Sequence, residues 1–461
     1  MERPATRVAG RRAIVHAVVP DPAESPAPTK RPTVRWRPKL AAGVTERATA
    51  SSSITRMPTV TMIVYGDVEH DSRVRRAATA LIAAGFGVSI GCLSRSGNDD
   101  VTELDGARVI HVAVGKSRTL PGDQSPFRSP SRAFPGTALV SKVRWLAGYG
   151  LALRAWRSRL VERMAPADLW LGHDLFGLWA AAALQARSGG RLVYDSHELF
   201  LDAGSAARLP GPGRAMLARM EGRLARRADA VVTVNGSIAD ELRARYGVDP
   251  VVVLNVPGTW RPPATDPFRS ILGLNGKSVI LYHGALSPGR GIEQLVEVAE
   301  TLPPGRVVVV LGDGPMFDEL VARSRTPELA GRLQVHPAVP IDALPDWVGS
   351  ADVGVVAFQA TTRNNVLGTP NKLFDYLVAG VPVVVSDFPE MRTIVGQVDG
   401  GQTCDPADPQ SIAGAIDRIL STTLEDRRIE RQRLARDAGA RFAWSIQAAR
   451  LVDAVRGALG G

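Results

Sequence analysis

The stretch GTPNKLFDYLVAGVPVVVSD, residues 368–387, constrains this chain more than any other. It reads as a loop, a helix, a tight turn and a buried strand. Pro370 suits a helix start, where its missing N–H is no loss. Leu373, Phe374 and Leu377 fall at helical spacing and face a core. Gly380 ends the helix, and the apolar run Val381-Pro382-Val383-Val384-Val385 has the character of a buried parallel strand.

The polar residues of that helix gather on one side. Asn371, Lys372 and Asp375 are three and four apart and share a face. A helix N-terminus presents free N–H groups and a positive dipole end, which suits phosphate. Lys372 adds a cation, and Gly368 and Thr369 lie in the approach loop. Asp375 stands about 6 Å further along the axis, at ~1.5 Å per residue, where a carboxylate accepts two hydrogen bonds from a ribose diol. The alternative is a helix with a solvated polar edge.

At 461 residues the chain is long enough for two or three domains, and 45% apolar and 22% charged residues are the composition of a globular protein. The two cysteines, Cys92 and Cys404, follow no metal spacing, which places the chain in a reducing cytoplasm. No apolar run approaches the ~18–20 residues a membrane span needs. The net charge of +10 is uneven: residues 1–57 hold eleven Lys/Arg and four Asp/Glu, and the rest holds 45 and 42. The folded part is nearly neutral, which argues against nucleic acid as a partner.

Residues 1–57, rich in Pro, Arg, Ser, Thr and Ala, read as a disordered basic tail rather than a signal peptide. From Thr59 a strand (TVTMIVYG), a helix (DSRVRRAATALIAAG) and a second strand (GVSIGCL) form the β-α-β start of a doubly wound sheet. The first turn, GDVEHDSRV, lacks G-x-G-x-x-G, so NAD and FAD are not expected. Residues 115–136 form a long irregular loop. The basic helix after it, with Trp145, Tyr149 and Trp156, packs on the core or lies on an anionic membrane. His173 in DLWLGHD and His197 in RLVYDSHELF both emerge at strand C-terminal ends, where open α/β sheets bind ligands. Ser237 is a plausible helix cap after ADAVVTVNG, and GTWRPPATDP, 258–267, is a natural linker. The second half opens with a strand ending at His283-Gly284 and a Gly/Pro loop carrying Arg290, able to bring N–H groups and a cation onto a diphosphate. In RVVVVLGDGPMFDEL, Gly312 and Gly314 allow a tight turn and Pro315 suits the first helical position.

PNKLFDYLVAGVPVVVSDFPE, YDSHELF and GDGP resemble family 4 glycosyltransferases, which use nucleotide sugars and have the GT-B fold of two facing Rossmann-like domains. The resemblance covers about residues 58–440. It implies an acceptor domain over 58–258, a nucleotide-sugar domain over 259–440, and a C-terminal helix, 441–461, crossing back to the first domain. It implies that Asp375 holds the donor ribose, in place of the usual glutamate, and that His173 contacts the donor sugar or diphosphate. His70, Asp71, Arg73, His197 and Glu198 would line the acceptor side; Asp71 reads equally as a helix cap. Gly284, Gly312 and Gly314 would shape the donor cleft. Two departures stand out. Leu367 occupies the position of a second glutamate near the donor sugar, with Asn364 or Asn365 as substitutes, and Ala285 replaces an arginine.

The expected activity is transfer of a sugar from a nucleotide diphosphate to an unidentified acceptor (a glycan, lipid-linked sugar or small molecule), with retention and without a metal or cofactor. Lys372 and Arg290 would stabilise the leaving diphosphate. The expected location is cytoplasmic, with peripheral contact at the inner face of the plasma membrane. A nucleotide-sugar epimerase and a non-catalytic binding protein are the alternatives.

Overall fold

The computed structural model describes residues 56–460 except 70, 95, 115–134, 205 and 259, and backbone only for 135–147. His70, nearly all of the basic tail and most of the 115–136 loop therefore lie outside the described residues.

The described chain builds two α/β sheets. The first takes β1 (Thr59–Val64), α1 (Ser72–Ala83), β2 (Gly87–Leu93), β3 (Asp100–Leu104), β4 (Ala107–Val112), α2 (Pro135–Arg163), β5 (Leu169–His173), α3 (Asp174–Ser188), β6 (Arg191–Ser196), α4 (Gly211–Ala225), β7 (Ala230–Thr233), α5 (Gly236–Tyr246) and β8 (Val251–Val252). The strand order is β3-β4-β2-β1-β5-β6-β7-β8, parallel except for the β3–β4 hairpin. That hairpin turns on Asp105 (φ 51°) and Gly106 (φ 83°), the positive-φ pair a two-residue turn requires.

The second sheet follows α6 (Pro267–Ser270). It takes β9 (Ser278–His283), α7 (Ile292–Thr301), β10 (Arg306–Leu311), α8 (Phe317–Arg323), β11 (Leu333–His336), α9 (Leu344–Gly349), β12 (Val353–Val356), α10 (Arg363–Leu367), α11 (Asn371–Val378), β13 (Val383–Ser386), α12 (Pro389–Val398), β14 (Gly401–Cys404) and α13 (Pro409–Leu420). Its order is β11-β10-β9-β12-β13-β14, all parallel. Runs such as RVVVVL are apolar at nearly every position because both faces are covered by helices. α14 (Leu424–Phe442) packs on α11, and α15 (Trp444–Gly460) sets Leu451, Val452 and Val455 into the core of the first lobe, against α1 and β6–β8.

Each sheet reverses its winding once, between β1 and β5 and between β9 and β12. Ligands bind beyond the strand C-termini at such reversals. β5 ends at His173 and β9 ends at His283, so each reversal carries a histidine at its mouth.

The signature helix is seated as its apolar spacing requires: Leu373, Phe374 and Leu377 are fully buried. Tyr376 lies against Gly354 of β12, where a Cβ would come within 2.4 Å of its ring, and its hydroxyl donates to the Leu281 carbonyl at 2.7 Å. Several local expectations shift. Pro370 is the residue before α11, not its first residue. α8 starts at Phe317, two residues after Pro315. Asn235, not Ser237, caps α5, its side-chain oxygen accepting from Ile238 N at 2.8 Å. In the described part of α2, Trp156 is fully buried and sits edge-on to Tyr65 at 5.0 Å, so it packs inward.

Candidate active site between the two lobes

On the second lobe, Lys372 occupies the first turn of α11 and is buried. Its Nζ lies 3.6 Å from the centroid of Tyr282 and 5.6 Å from that of Phe358; the Arg290 guanidinium stacks on Phe358 at 4.5 Å. Neither cation has a carboxylate within ion-pair distance among the described residues. Burial, then repulsion from Arg290, holds the Lys372 amine well below its ordinary range. Asp375 lies one turn on, its Oδ2 3.7 Å from His283 Nε2. Burial raises its carboxyl to about 7 against the pull of Arg76 and Lys372. Burial and Lys372 press His283 down to about 3, so it is neutral, and its Nε2 has no hydrogen-bond partner among the described residues. The pocket is therefore short of negative charge. A diphosphate beside Lys372 and Arg290 would supply it, and a diol at Asp375 would satisfy the carboxylate.

Two glycines of this lobe bring backbone against backbone. A Cβ on Gly312 would fall 1.9 Å from the Gly284 carbonyl oxygen, and one on Gly314 would fall 2.3 Å from that of Leu286. They let the β10–α8 turn press against the β9–α7 loop. Gly284 (φ 115°) is the one that opens to the site, with Lys372 Nζ 3.3 Å from where its Cβ would be. Asn371 is exposed and does not share the buried face of Lys372.

On the first lobe, His173 Nδ1, His197 Nε2 and Asp195 Oδ2 lie 2.9 to 3.2 Å from one another. Gly172 and Gly177 make this possible. A Cβ on either would meet backbone within 2.4 Å, so α3 can start hard against the sheet. The three side chains have the spacing of a metal-ligand set. Asp195, however, is already gripped by Arg73, with Nη2 to Oδ1 at 2.6 Å and Nε to Oδ2 at 2.9 Å. The guanidinium gives the carboxylate its counter-charge, and a divalent cation would bring a second one. Two nitrogens 2.9 Å apart need one shared proton. Burial opposes charge on His197, but Asp174 and Asp195 outweigh it and lift its pKa to about 9. Asp195 stays ionised against its burial because Arg73 and His197 hold it well below the usual carboxylate range. His173 is buried, and its Nε2 has no partner among the described residues.

Arg73 is thus a buried strut, donating to Asp195 and, at 2.8 Å, to the Val253 carbonyl, and not a side chain offered to an acceptor. Asp71 caps α1, accepting from Arg73 N and Val74 N at 3.1 and 3.0 Å. Glu198 is half-buried; burial and Asp174 raise its carboxyl to about 7 against His197 and Arg290.

Asn235, which sequence reasoning did not single out as a site residue, joins the lobes, and Asn364 does so from the second lobe. Asn235 donates to the Leu367 carbonyl at 2.9 Å and to Thr369 Oγ1 at 3.3 Å. The Asn364 amide accepts from Leu199 N at 2.9 Å and donates to Glu198 at 3.3 Å. Asn365 donates to Thr361 Oγ1 and the Gln359 carbonyl. Both amides are thus committed to protein partners. Leu367 packs on an apolar cluster of the first lobe that includes Leu199, Val234 and Ile238. Glu390, at the start of α12, accepts from Ser237 N at the start of α5.

A family model described as "Glycosyl transferase 4-like domain" matches residues 70–259, and one described as "Glycosyl transferases group 1" matches 265–438. The D-inositol 3-phosphate glycosyltransferase of Streptosporangium roseum is 29% identical over 50% of this chain, and the match spans 56% of its own length, little more than half. That of Corynebacterium urealyticum is 27% identical over 83% of this chain and 89% of its own. Among solved structures, sucrose-phosphate synthase from Thermosynechococcus elongatus superposes with a TM-score of 0.66 at 19% identity, covering 87% of this chain and 98% of that one. Anabaena HepE in complex with UDP-glucose gives 0.61 at 14%, covering 86% and 99%. Two consecutive family matches on two facing doubly wound sheets leave one conclusion: the chain belongs to the glycosyltransferases of the GT-B fold.

Proposed function

We infer that the protein transfers a sugar from a nucleotide diphosphate to an acceptor, with retention and without a metal. The observation that carries this is the pair of cations, Lys372 and Arg290, stacked on one phenylalanine with no acid partner among the described residues. The donor diphosphate lies between them at the start of α11. Gly284 leaves it room, and Gly368 and Thr369 form the approach loop. The ribose diol donates to Asp375. As the glycosidic bond breaks, negative charge grows on the leaving diphosphate, and two fixed cations in a pocket closed to water stabilise it there. His173 Nε2 faces the donor sugar from the opposite lobe, oriented by its Nδ1 contacts. His197 and Glu198 stand towards the acceptor, which is a glycan, a lipid-linked sugar or a small molecule.

The names of the relatives support sugar transfer, and the complexes of HepE with UDP and UDP-glucose are in keeping with a nucleotide-sugar donor. Among the described residues no helix is long and apolar enough to cross a membrane. A cytoplasmic enzyme touching the membrane from its inner face fits the basic first lobe. The test is a thermal-shift panel of UDP-, GDP- and ADP-sugars on the wild type, Lys372→Ala and Asp375→Ala. One nucleotide class should stabilise the wild type, and less so both variants. Equal stabilisation of all three proteins would remove the site assignment, and an isomerised donor sugar with no acceptor present would favour an epimerase.

A further inference from the structure

Away from the cleft, α2, α3 and α4 enclose a groove of about 540 Å³ on the outer face of the first lobe. Its apolar surface comes from Trp179, Ala183 and Met220. The small alanines of α3 keep it open, and Met216 at its edge is 64% exposed. One bank carries Arg219, Arg223 and Arg227, at i, i+4 and i+8 on and just past α4; Arg157 of α2 is on the other, its guanidinium 4.6 Å from the Trp179 ring.

No acidic side chain lines the groove. Elsewhere in the molecule some exposed arginines hold a carboxylate, as Arg243 holds Asp240 and Arg261 holds Asp346. Arg219, Arg223 and Arg227 hold none among the described residues. Like charges four apart on a helix repel, so this row stands against its own electrostatics, beside exposed apolar surface. Guanidinium groups along an apolar trough complement a ligand with phosphate at one end and hydrocarbon at the other.

We propose that this groove seats the headgroups and upper chains of anionic phospholipids, docking the first lobe on a membrane. α3 links the groove to the chemistry: its first residue, Asp174, accepts from His197 N at 2.9 Å, and Trp179 follows five residues on. Docking here holds the cleft roughly 10–20 Å from the lipid surface along that helix, at ~1.5 Å per residue. An acceptor carried on a lipid would then reach the cleft without leaving the membrane. The docking itself does not depend on sugar transfer; its purpose rests on that reading.

The test is sedimentation of the full-length protein with phosphatidylcholine vesicles, with and without about one-third phosphatidylglycerol, near physiological salt. The basic N-terminal segment is retained, because it attracts anionic lipid in every variant alike. The wild type should bind only the anionic vesicles. Arg219→Gln/Arg223→Gln/Arg227→Gln should lose at least tenfold in partitioning, each arginine near the surface being worth roughly fivefold. Met216→Asp should lose binding too, and Arg325→Gln, an exposed arginine of the second lobe, should not. All should keep the melting temperature and the donor-induced thermal shift. Triple-variant binding equal to wild type would overturn the proposal and assign the attraction to the N-terminal segment. No wild-type binding, or full displacement by millimolar inorganic phosphate, would overturn it as well. Vesicle binding without any donor-induced shift would leave the groove standing and sink the transfer reading instead.

Discussion

The two mouths of the cleft are built alike and charged differently. Each has a histidine at the last position of a strand beside a reversal of sheet winding. In the first lobe the charges are paired off: Arg73 with Asp195, and His197 between Asp174 and Asp195. In the second, Lys372 and Arg290 rest on aromatic faces with no carboxylate at ion-pair distance among the described residues. A site that balances its own charge holds a geometry. A site that leaves charge unbalanced is completed by what binds it. Under the proposed function the first lobe orients and the second recognises, and each half of that contrast can be tested.

The largest effect belongs to the paired side. Asp195→Asn strips the counter-charge from a buried arginine and should cost about 3–5 kcal/mol of stability, read by denaturant unfolding. A loss under 1 kcal/mol would mean that the pair is not the keystone of this lobe. On the unpaired side the sign should reverse. Lys372→Ala and Arg290→Ala should each lower turnover by roughly 10²–10³, while the unliganded melting temperature holds or rises, because each removes a cationic group that has no carboxylate at ion-pair distance, buried at Lys372 and half-buried at Arg290. A marked fall in unliganded stability would erase the contrast.

Asp375 gives a smaller, pH-dependent effect. Between the ordinary aspartate value of ~4 and its folded value of about 7, the folded chain keeps a proton that the unfolded chain has released. Stability thus falls as pH rises through this window. Asp375→Asn should flatten that slope and weaken donor binding by ~1–3 kcal/mol; an unchanged slope would assign it to Glu198. His197 works in the same direction at higher pH: its contribution is complete below ~6.5 and lost as pH rises through about 9. The smallest effect is at the lobe junction. Glu390→Gln removes a negative charge from the start of α5, worth ~0.3–1 kcal/mol, and should loosen closure, measured as faster proteolysis between the lobes. No change would show that Glu390 is a bystander.

What could be read along the chain was the part governed by short-range periodicity. Apolar runs, turn glycines and amphipathic spacing place α1, β5, β9, α11 and β13. The β3–β4 hairpin went unread although its Asp-Gly turn was visible, because β3 is exposed along most of its length and lacks an apolar face. α10 is five residues long, too short for its period to register. Among site residues, Lys372, Arg290 and Asp375 could be named from their positions on a helix start and a loop. Arg73 was misjudged because a charged residue at a helix start looks solvated until its partner, 122 residues away, is known.

The sequence alone, then, determined that two doubly wound sheets form and that α11 turns Leu373, Phe374 and Leu377 inward, since both follow from neighbours within a few residues. Which charges cancel was decided only in three dimensions. Asp195 reaches Arg73 across 122 residues, Asn235 reaches Leu367 across 132, and Lys372 is left unpaired because burial sets it among aromatic rings. Electrostatic balance depends on distance and dielectric in the folded molecule, and no local pattern encodes either.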